Sequence, residues 1–391
     1  MIRFLNTLCF VTCFFMAVLP FGARSQSAVF NVTYNGFTPQ AQTAFQYAAN
    51  RWSGILQSSV PIKVNAYFIP LLPGMLGITF PNGRRDFNGA PLPNTWYATS
   101  LANAITGTEQ NPGESDFDLY LNASAAWYFD TAGAVPSSQY DFVSVAMHEM
   151  CHGFGFVSLA KKTGTVGSFG LLQATDFAPL TTTFPWPDLD TLPSVYDRLL
   201  VKNTGAKLDT FPNPSTALGA ALTSNNVYIA GTYAVLANND LKPRAYAPVT
   251  FSLGSSTSHL NESTYPAGNA NEMMTPDGTP GNANHDPGPV ALGVLRDIGW
   301  HLNPALSSYI PATTNTFRVF PNPTQDVLTV TGLKTLNPME VCIRDLTGRI
   351  VLTGANYRSG DALDVSSLRP GFYYVVFNDL VTTTQVLFVK Q

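Results

Sequence analysis

The sequence predicts an α+β fold in which one large mixed domain is followed by a small all-β sandwich. Three observations carry this. Residues 26–303 interleave strand-like alternation with helix-like periodicity. Residues 317–391 hold short strand-like stretches with no good helix among them. Between the two lies NPALSSYIPATTN, residues 304–316, with the composition of a linker. At 391 residues the chain exceeds one average domain, and 45% hydrophobic residues suffice for packed cores. Charged residues are only 12%, the formal net charge is −4, and no run of Lys or Arg occurs. That balance excludes a nucleic-acid footprint or a polybasic membrane patch and suits a loop-rich exported protein.

Residues 1–25 read as an export signal. Arg3 gives a positive start, Leu5 to Leu19 an apolar run, and Ala23-Arg24-Ser25 a small-residue cleavage site after Pro20 and Gly22. The apolar run is too short for a usual membrane span, so a mature chain beginning near Gln26 with no transmembrane segment is expected. Cys9 and Cys13 leave with the signal. Cys151 and Cys342 remain, far apart in sequence, so no disulfide framework is expected.

Within residues 26–303, Ala28 to Tyr34 is a strand candidate. Thr38-Pro39 supplies an N-cap followed by Pro at the first helical position, and Ala41, Phe45, Ala48, Trp52 and Ile55 continue at helical spacing, which predicts a helix over 39–57. Val60, Ile62, Val64, Ala66 and Phe68 alternate as a strand. Pro70 to Pro93 reads as a Pro/Gly-rich loop, and Phe117, Leu119 and Leu121 as another strand. Asp141 can cap a helix through Phe142, Val145, His148 and His152 that Gly153 and Gly155 stop. From Ser158 to Leu253 the signals are weak, with only Val195 to Val201 hinting at a helix; so long a stretch reads as a separate subdomain. Gly288-Pro289 opens a last helix with Val290, Ala291, Val294, Leu295 and Ile298 on one face, and Gly299 closes it.

The chemistry concentrates in HEMCHGFGF, residues 148–156. His148 and His152 stand one helical turn apart, so both imidazoles can reach one ion. Zinc suits such nitrogen ligands and, with three of them, keeps a position open for water. Glu149 lies about 100° around the helix from His148. From there it can act as general base on that water and then carry the proton to a leaving amine. With five His and six Glu in the chain, H-E-x-x-H arises by chance in about one shuffled sequence in a thousand, which favours a site over two unrelated helix histidines. Cys151 points off the ligand face and reads as a small buried side chain rather than a competing ligand.

The longer signature H-E-x-x-H-x-x-G-x-x-H runs through Gly155 but finds Ser158 where it needs a ligand. Among His259, His285 and His301, two sit in promising contexts: His259 in SHLNES and His285 in NHDPG. NEMMTP, residues 271–276, and VALGVLRDIGW follow. HEMCHGFGF, SHLNE, NEMMTP and VALGVLRDIGW in this order resemble the leishmanolysin-type metzincins. The resemblance covers parts of residues 115–300. It implies a long insertion between Gly155, the helix-ending glycine, and the third ligand His259, with His285 as its rival. It also implies a Met-turn at Met274, which precedes Thr275-Pro276; Met273 fits that pattern less well. The implied fold is metzincin-like: a twisted mixed sheet over the zinc helix, and an irregular lower half. DFDLYLN, residues 116–122, resembles the family's edge strand along the substrate. Many relatives carry an inhibitory propeptide, for which the short distance from signal to first strand leaves no room.

The tail pieces FRVFPNPTQDVLTV, VCIRDLTGRIV, LDVSSLRPGFYYVVF and VLFVK resemble the C-terminal sorting domain of type IX secretion substrates of the Bacteroidota. That implies export through the outer membrane, with the secretion machinery as a partner, and removal of the tail or its attachment to lipopolysaccharide. An adhesion or sugar-binding sandwich is the alternative; alternation would turn two of Phe372, Tyr373 and Tyr374 inward. The expectation is a secreted zinc metalloendopeptidase with one catalytic Zn2+ on His148, His152 and His259, a protein or peptide substrate, and no nucleic-acid partner. A metal-containing adhesin and a zinc hydrolase of a non-peptide substrate are the competing classes. Asp176, Asp188 and Asp190 could serve calcium, although scattered loop Asp is usually turn chemistry.

Overall fold

A computed structural model describes residues 26–132, 134–180, 186, 190–303, 318–331, 339–358, 360–378 and 383–391. The export signal, the linker and Asp188 lie outside these residues. Strand Phe30–Asn35 and strand Ile62–Ile69 run parallel, from Phe30 opposite Ile62 to Asn35 opposite Tyr67, and helix Pro39–Ser53 connects them. The helix starts as its residues dictate: Thr38 Oγ1 accepts the Ala41 amide at 3.2 Å, and Pro39 occupies the first turn, where no amide partner is needed. Its buried face holds Ala41, Ala44, Phe45, Ala48 and Trp52, the spacing of one helical stripe.

Strand Phe117–Asn122 pairs parallel with Ile62–Ile69, and strand Gly77–Pro81 pairs antiparallel with Phe117–Asn122, completing a four-stranded sheet with Gly77–Pro81 at its end. This corrects two expectations. Phe117–Asn122 is an inner strand rather than the edge, and the edge comes from the segment read as loop. GITFP has Gly and Pro at its ends and no alternation, because an edge strand satisfies only one ladder and can carry Pro81.

Helix Phe142–Gly153 packs beside helix Pro39–Ser53 on the buried face of this sheet. Asp141 Oδ1 caps it through the Ser144 amide at 2.7 Å. Trp52 Nε1 donates to the Met147 carbonyl at 3.1 Å, and the Trp52, Phe117 and Trp300 rings meet Phe154 edge-on. Burial of each such ring is worth about 1.5–3 kcal/mol, which fixes the helix against the sheet far more firmly than its cap does. Gly153 is the helix's last residue, not a breaker beyond it: a Cβ there would lie 2.6 Å from the Phe117 ring. The chain turns away at Gly155, whose φ of +102° favours glycine.

The stretch after residue 158 is not a separate subdomain. It holds the hairpin Ala160–Thr163 with Val166–Phe169, the ladder Leu200–Lys202 with Val227–Ile229, and helices Thr216–Leu222 and Thr232–Ala237. Leu200, Leu208, Leu218, Leu222, Val227 and Ile229 belong to the same buried cluster as the sheet and the first helices. Val195 to Val201 is not a helix but a 3₁₀ turn, Asp197–Leu199, running into a strand. The Asp197 carboxylate takes up the Ser194 and Leu159 amides there, a local alternative to helical bonds. Helix Gly288–Ile298 closes the domain, and Asp297 caps helix Thr232–Ala237 through the Tyr233 and Ala234 amides at 2.9 and 2.8 Å.

The C-terminal residues are all-β. Strands Arg318–Phe320, Val327–Thr331 and Ala362–Asp364 form one sheet; Ile350–Tyr357, Met339–Asp345, Gly371–Asn378 and Thr383–Lys390 form the other. Leu328, Val330, Ile343, Val375, Phe377 and Phe388 share one buried cluster, as in sheet-on-sheet packing. The aromatic triplet departs from expectation. Phe372 is 54% exposed, and it is Tyr373 that packs inward, stacked on Phe388.

Candidate metal centre

His148 and His152 sit one turn apart on helix Phe142–Gly153, with Nε2 atoms 3.1 Å apart. His259 arrives from the far side of the insertion, on a segment held by the Tyr246 amide to the His259 carbonyl and the Leu260 amide to the Met274 carbonyl. Its Nε2 lies 3.1 Å from that of His148 and 3.2 Å from that of His152. These three are the residues among those described whose donor atoms gather closely enough to hold a metal ion.

The other ring nitrogens explain why the three Nε2 atoms can approach. His148 Nδ1 faces the Met273 carbonyl at 2.5 Å, His152 Nδ1 the Phe156 carbonyl at 2.7 Å, and His259 Nδ1 the Ser255 carbonyl at 2.8 Å. A carbonyl only accepts, so each Nδ1 carries the hydrogen and each Nε2 presents a lone pair. Burial keeps the rings neutral. Desolvation lowers His148, holds His152 well below the usual range, and takes His259 down to about 3, with the neighbouring imidazoles adding to the last two. Three converging neutral imidazoles are the donor set of zinc rather than of calcium or magnesium. Zinc–nitrogen bonds near 2.0–2.1 Å at tetrahedral angles separate ligand atoms by about 3.3 Å, close to the spacing found. The residues fit the ion.

Glu149 is 5% exposed. Thr79 of the edge strand donates its hydroxyl to Glu149 Oε2 at 2.7 Å, and a Cβ on Gly77 would lie 2.6 Å from Oε1. Burial pushes this carboxyl up to about 8, against the lowering effect of Thr79. A cleft of about 740 Å³ opens over these groups. Gly77–Pro81 lines it, as do residues 252–255, Met273 and residues 275–279, and His148, Glu149, His152 and His259 lie along it.

His285, the other candidate ligand, is elsewhere. Its Nε2 lies 2.8 Å from Asp141 Oδ1, and its ring meets Tyr47 edge-on. His301 is exposed on strand His301–Leu302. Cys151 is fully buried, with its thiol pushed up by desolvation, and stands outside the cluster. Met274 is fully buried at the end of the 3₁₀ turn Glu272–Met274, and the carbonyl of its neighbour Met273 lies 2.5 Å from His148 Nδ1. Asp176 pairs with Lys161 and Asp190 with Arg85, and among the described residues neither belongs to a group of three or more candidate metal ligands. Sequence reasoning missed Gly77 and Thr79, which carry no motif and became neighbours of Glu149 only through the edge strand.

The Secretion system C-terminal sorting domain family matches residues 318–391, the all-β portion. The chain is therefore exported through the outer membrane by type IX secretion, to the cell surface or beyond. Among the described residues no helix is long and apolar enough to cross a membrane. No curated protein matches the chain. Among solved structures, one similar chain is PorZ, an essential bacterial surface component of the type-IX secretion system of Porphyromonas gingivalis. It is 19% identical over 21% of this chain and only 13% of its own, with a TM-score of 0.17.

Proposed function

We propose that this exported chain is a zinc-dependent endopeptidase of the leishmanolysin-type metzincins. In this reading His148, His152 and His259 hold one zinc ion, Glu149 is the general base, Met274 forms the Met-turn and Gly155 ends the zinc helix. The observation that carries the reading is the meeting of three Nε2 lone pairs within 3.2 Å beside a buried carboxylate. When bound, zinc supplies Lewis-acid chemistry, bringing the pKa of water towards about 7 and polarising a carbonyl.

The chain's own residues do the rest. The three backbone carbonyls hold the imidazoles in one tautomer. Glu149 in its ionised form takes a proton from water and delivers it to the departing amine. The Thr79 hydroxyl steadies the carboxylate and favours that ionised form. The edge strand Gly77–Pro81 pairs on one side only within its sheet and borders the cleft, so an extended peptide can add to it as a further strand. A structural metal site would gain nothing from Glu149, whose burial with so few partners costs stability. That argues for catalysis over adhesion.

The test is zinc content and casein cleavage for the full chain beside His259→Ala and Glu149→Ala. Wild type should hold one zinc and cleave; Glu149→Ala should keep zinc and lose cleavage; His259→Ala should lose both. Retention of zinc by His259→Ala would overturn the ligand set. A zinc-loaded wild type that cleaves no protein substrate would overturn the peptidase reading.

A further inference from the structure

The place where the longer His motif would carry its third ligand holds Ser158, and its bonds give that residue a different task. Ser158 is 5% exposed. Its amide donates to Ser258 Oγ at 3.1 Å. Its hydroxyl accepts from Thr257 Oγ1 at 2.9 Å and from the Ala160 amide at 3.2 Å, and donates to Asp197 Oδ1 at 2.6 Å. One donor and two acceptor sites are thus all used. Asp197 is fully buried, and its other oxygen accepts the Leu159 amide at 3.0 Å and both the amide and hydroxyl of Ser194 at 2.9 Å.

Three segments distant in sequence meet here: the exit of the His148–His152 helix, the turn Asp197–Leu199 inside the insertion, and the two residues before His259. The His259 Nδ1 bond to Ser255 stays within its own loop, so it sets the ring against the loop but not the loop against the helix. The Tyr246 and Met274 backbone bonds tie the loop to the segment at Tyr246 and to the 3₁₀ turn Glu272–Met274. Ser158 is what ties it to the chain leaving the helix. Thr257 has a φ of +65°, costly for a β-branched residue, and its one hydroxyl hydrogen, shared between Ser158 Oγ and the Ser256 carbonyl, helps hold it there.

We propose that Ser158 and Asp197 are positioning residues for His259, a buried polar latch that docks residues 257–258 and aims the His259 imidazole at the other two. The proposal rests on the metal reading above. It gives the insertion a specific part in the site, because Asp197 comes from within it.

The experiment measures Zn2+ affinity of the full chain by competition with a chromogenic chelator, and the visible absorption of the Co2+-substituted chain. Ser158→Ala and Thr257→Val should each weaken zinc about 10–100-fold, as loss of groups that orient metal ligands does, and should alter the Co2+ bands. Thr257→Ser, which keeps the hydroxyl, should retain most of the affinity. Unchanged affinity and spectrum in Ser158→Ala and Thr257→Val would overturn the latch. A wild type that binds no Zn2+ would instead overturn the metal reading on which the latch depends. Thr257→Val, nearly isosteric, carries the test should Ser158→Ala not fold.

Discussion

Gly77→Ala isolates the placement of Glu149 from everything else in the site. A Cβ at position 77 would lie 2.6 Å from Glu149 Oε1, 2.7 Å from Cγ and 2.8 Å from Cδ, where ordinary contact begins at 3.4 Å. The carboxylate must therefore retreat by about 0.8 Å (3.4 minus 2.6). Because the obstacle is the end of a flexible side chain and not backbone, the fold yields cheaply. The Thr79 bond is strained or lost, a cost of about 1 kcal/mol. Catalysis yields less readily. A misplacement near 1 Å costs about 100-fold, so kcat/KM should fall about 10–100-fold, or about 1.4–2.7 kcal/mol of transition-state stabilisation. The assay is cleavage of a quenched fluorescent peptide, run beside zinc content and thermal melting. Zinc should stay at the wild-type level, since the three atoms nearest that Cβ all belong to Glu149 and none to a histidine. Full activity in Gly77→Ala would refute the idea that the edge strand sets the base, and so would an activity loss explained entirely by lost zinc.

Further outcomes follow from the same contacts. Thr79→Val removes the hydroxyl that lowers Glu149, so its pKa rises and the acidic limb of the kcat/KM–pH profile should move to higher pH; an unmoved limb would exclude this role. Asp141→Ala uncaps the helix that carries both motif histidines and should cost about 1–2 kcal/mol in urea unfolding, with an unchanged denaturant slope. The metal-free chain should respond to acid through His259. Folding lowers this group from 6.5 to about 3, so between those values the unfolded chain binds more protons than the folded one. Its contribution is thus present above pH 6.5 and lost as pH falls towards about 3. In chelator-treated protein, the stability difference between wild type and His259→Gln should shrink across that window, and a constant difference would contradict the assignment.

Local chemistry made part of this protein legible in its sequence. Thr38-Pro39 and Asp141 announced two helix starts because caps act over three residues, and Ile62 to Phe68 announced a strand because alternation is a property of neighbours. His148, Glu149 and His152 were readable together because one helical turn places them. The tail matched piece by piece because short paired strands carry their turns and apolar faces within a few residues of each other.

What only the tertiary structure decided are the relations between distant segments. GITFP has no strand signature of its own, yet as the antiparallel edge it delivers Gly77 and Thr79 to Glu149. His259 and His285 both stood in plausible contexts, and packing alone brought the first to the helix histidines and the second to Asp141. The insertion looked structureless because its apolar residues complete a core whose other half lies a hundred residues away. Periodicity records what one element does for itself. Which elements share a core, and which side chains meet across it, depends on burial summed over the whole chain, and no local window contains that sum.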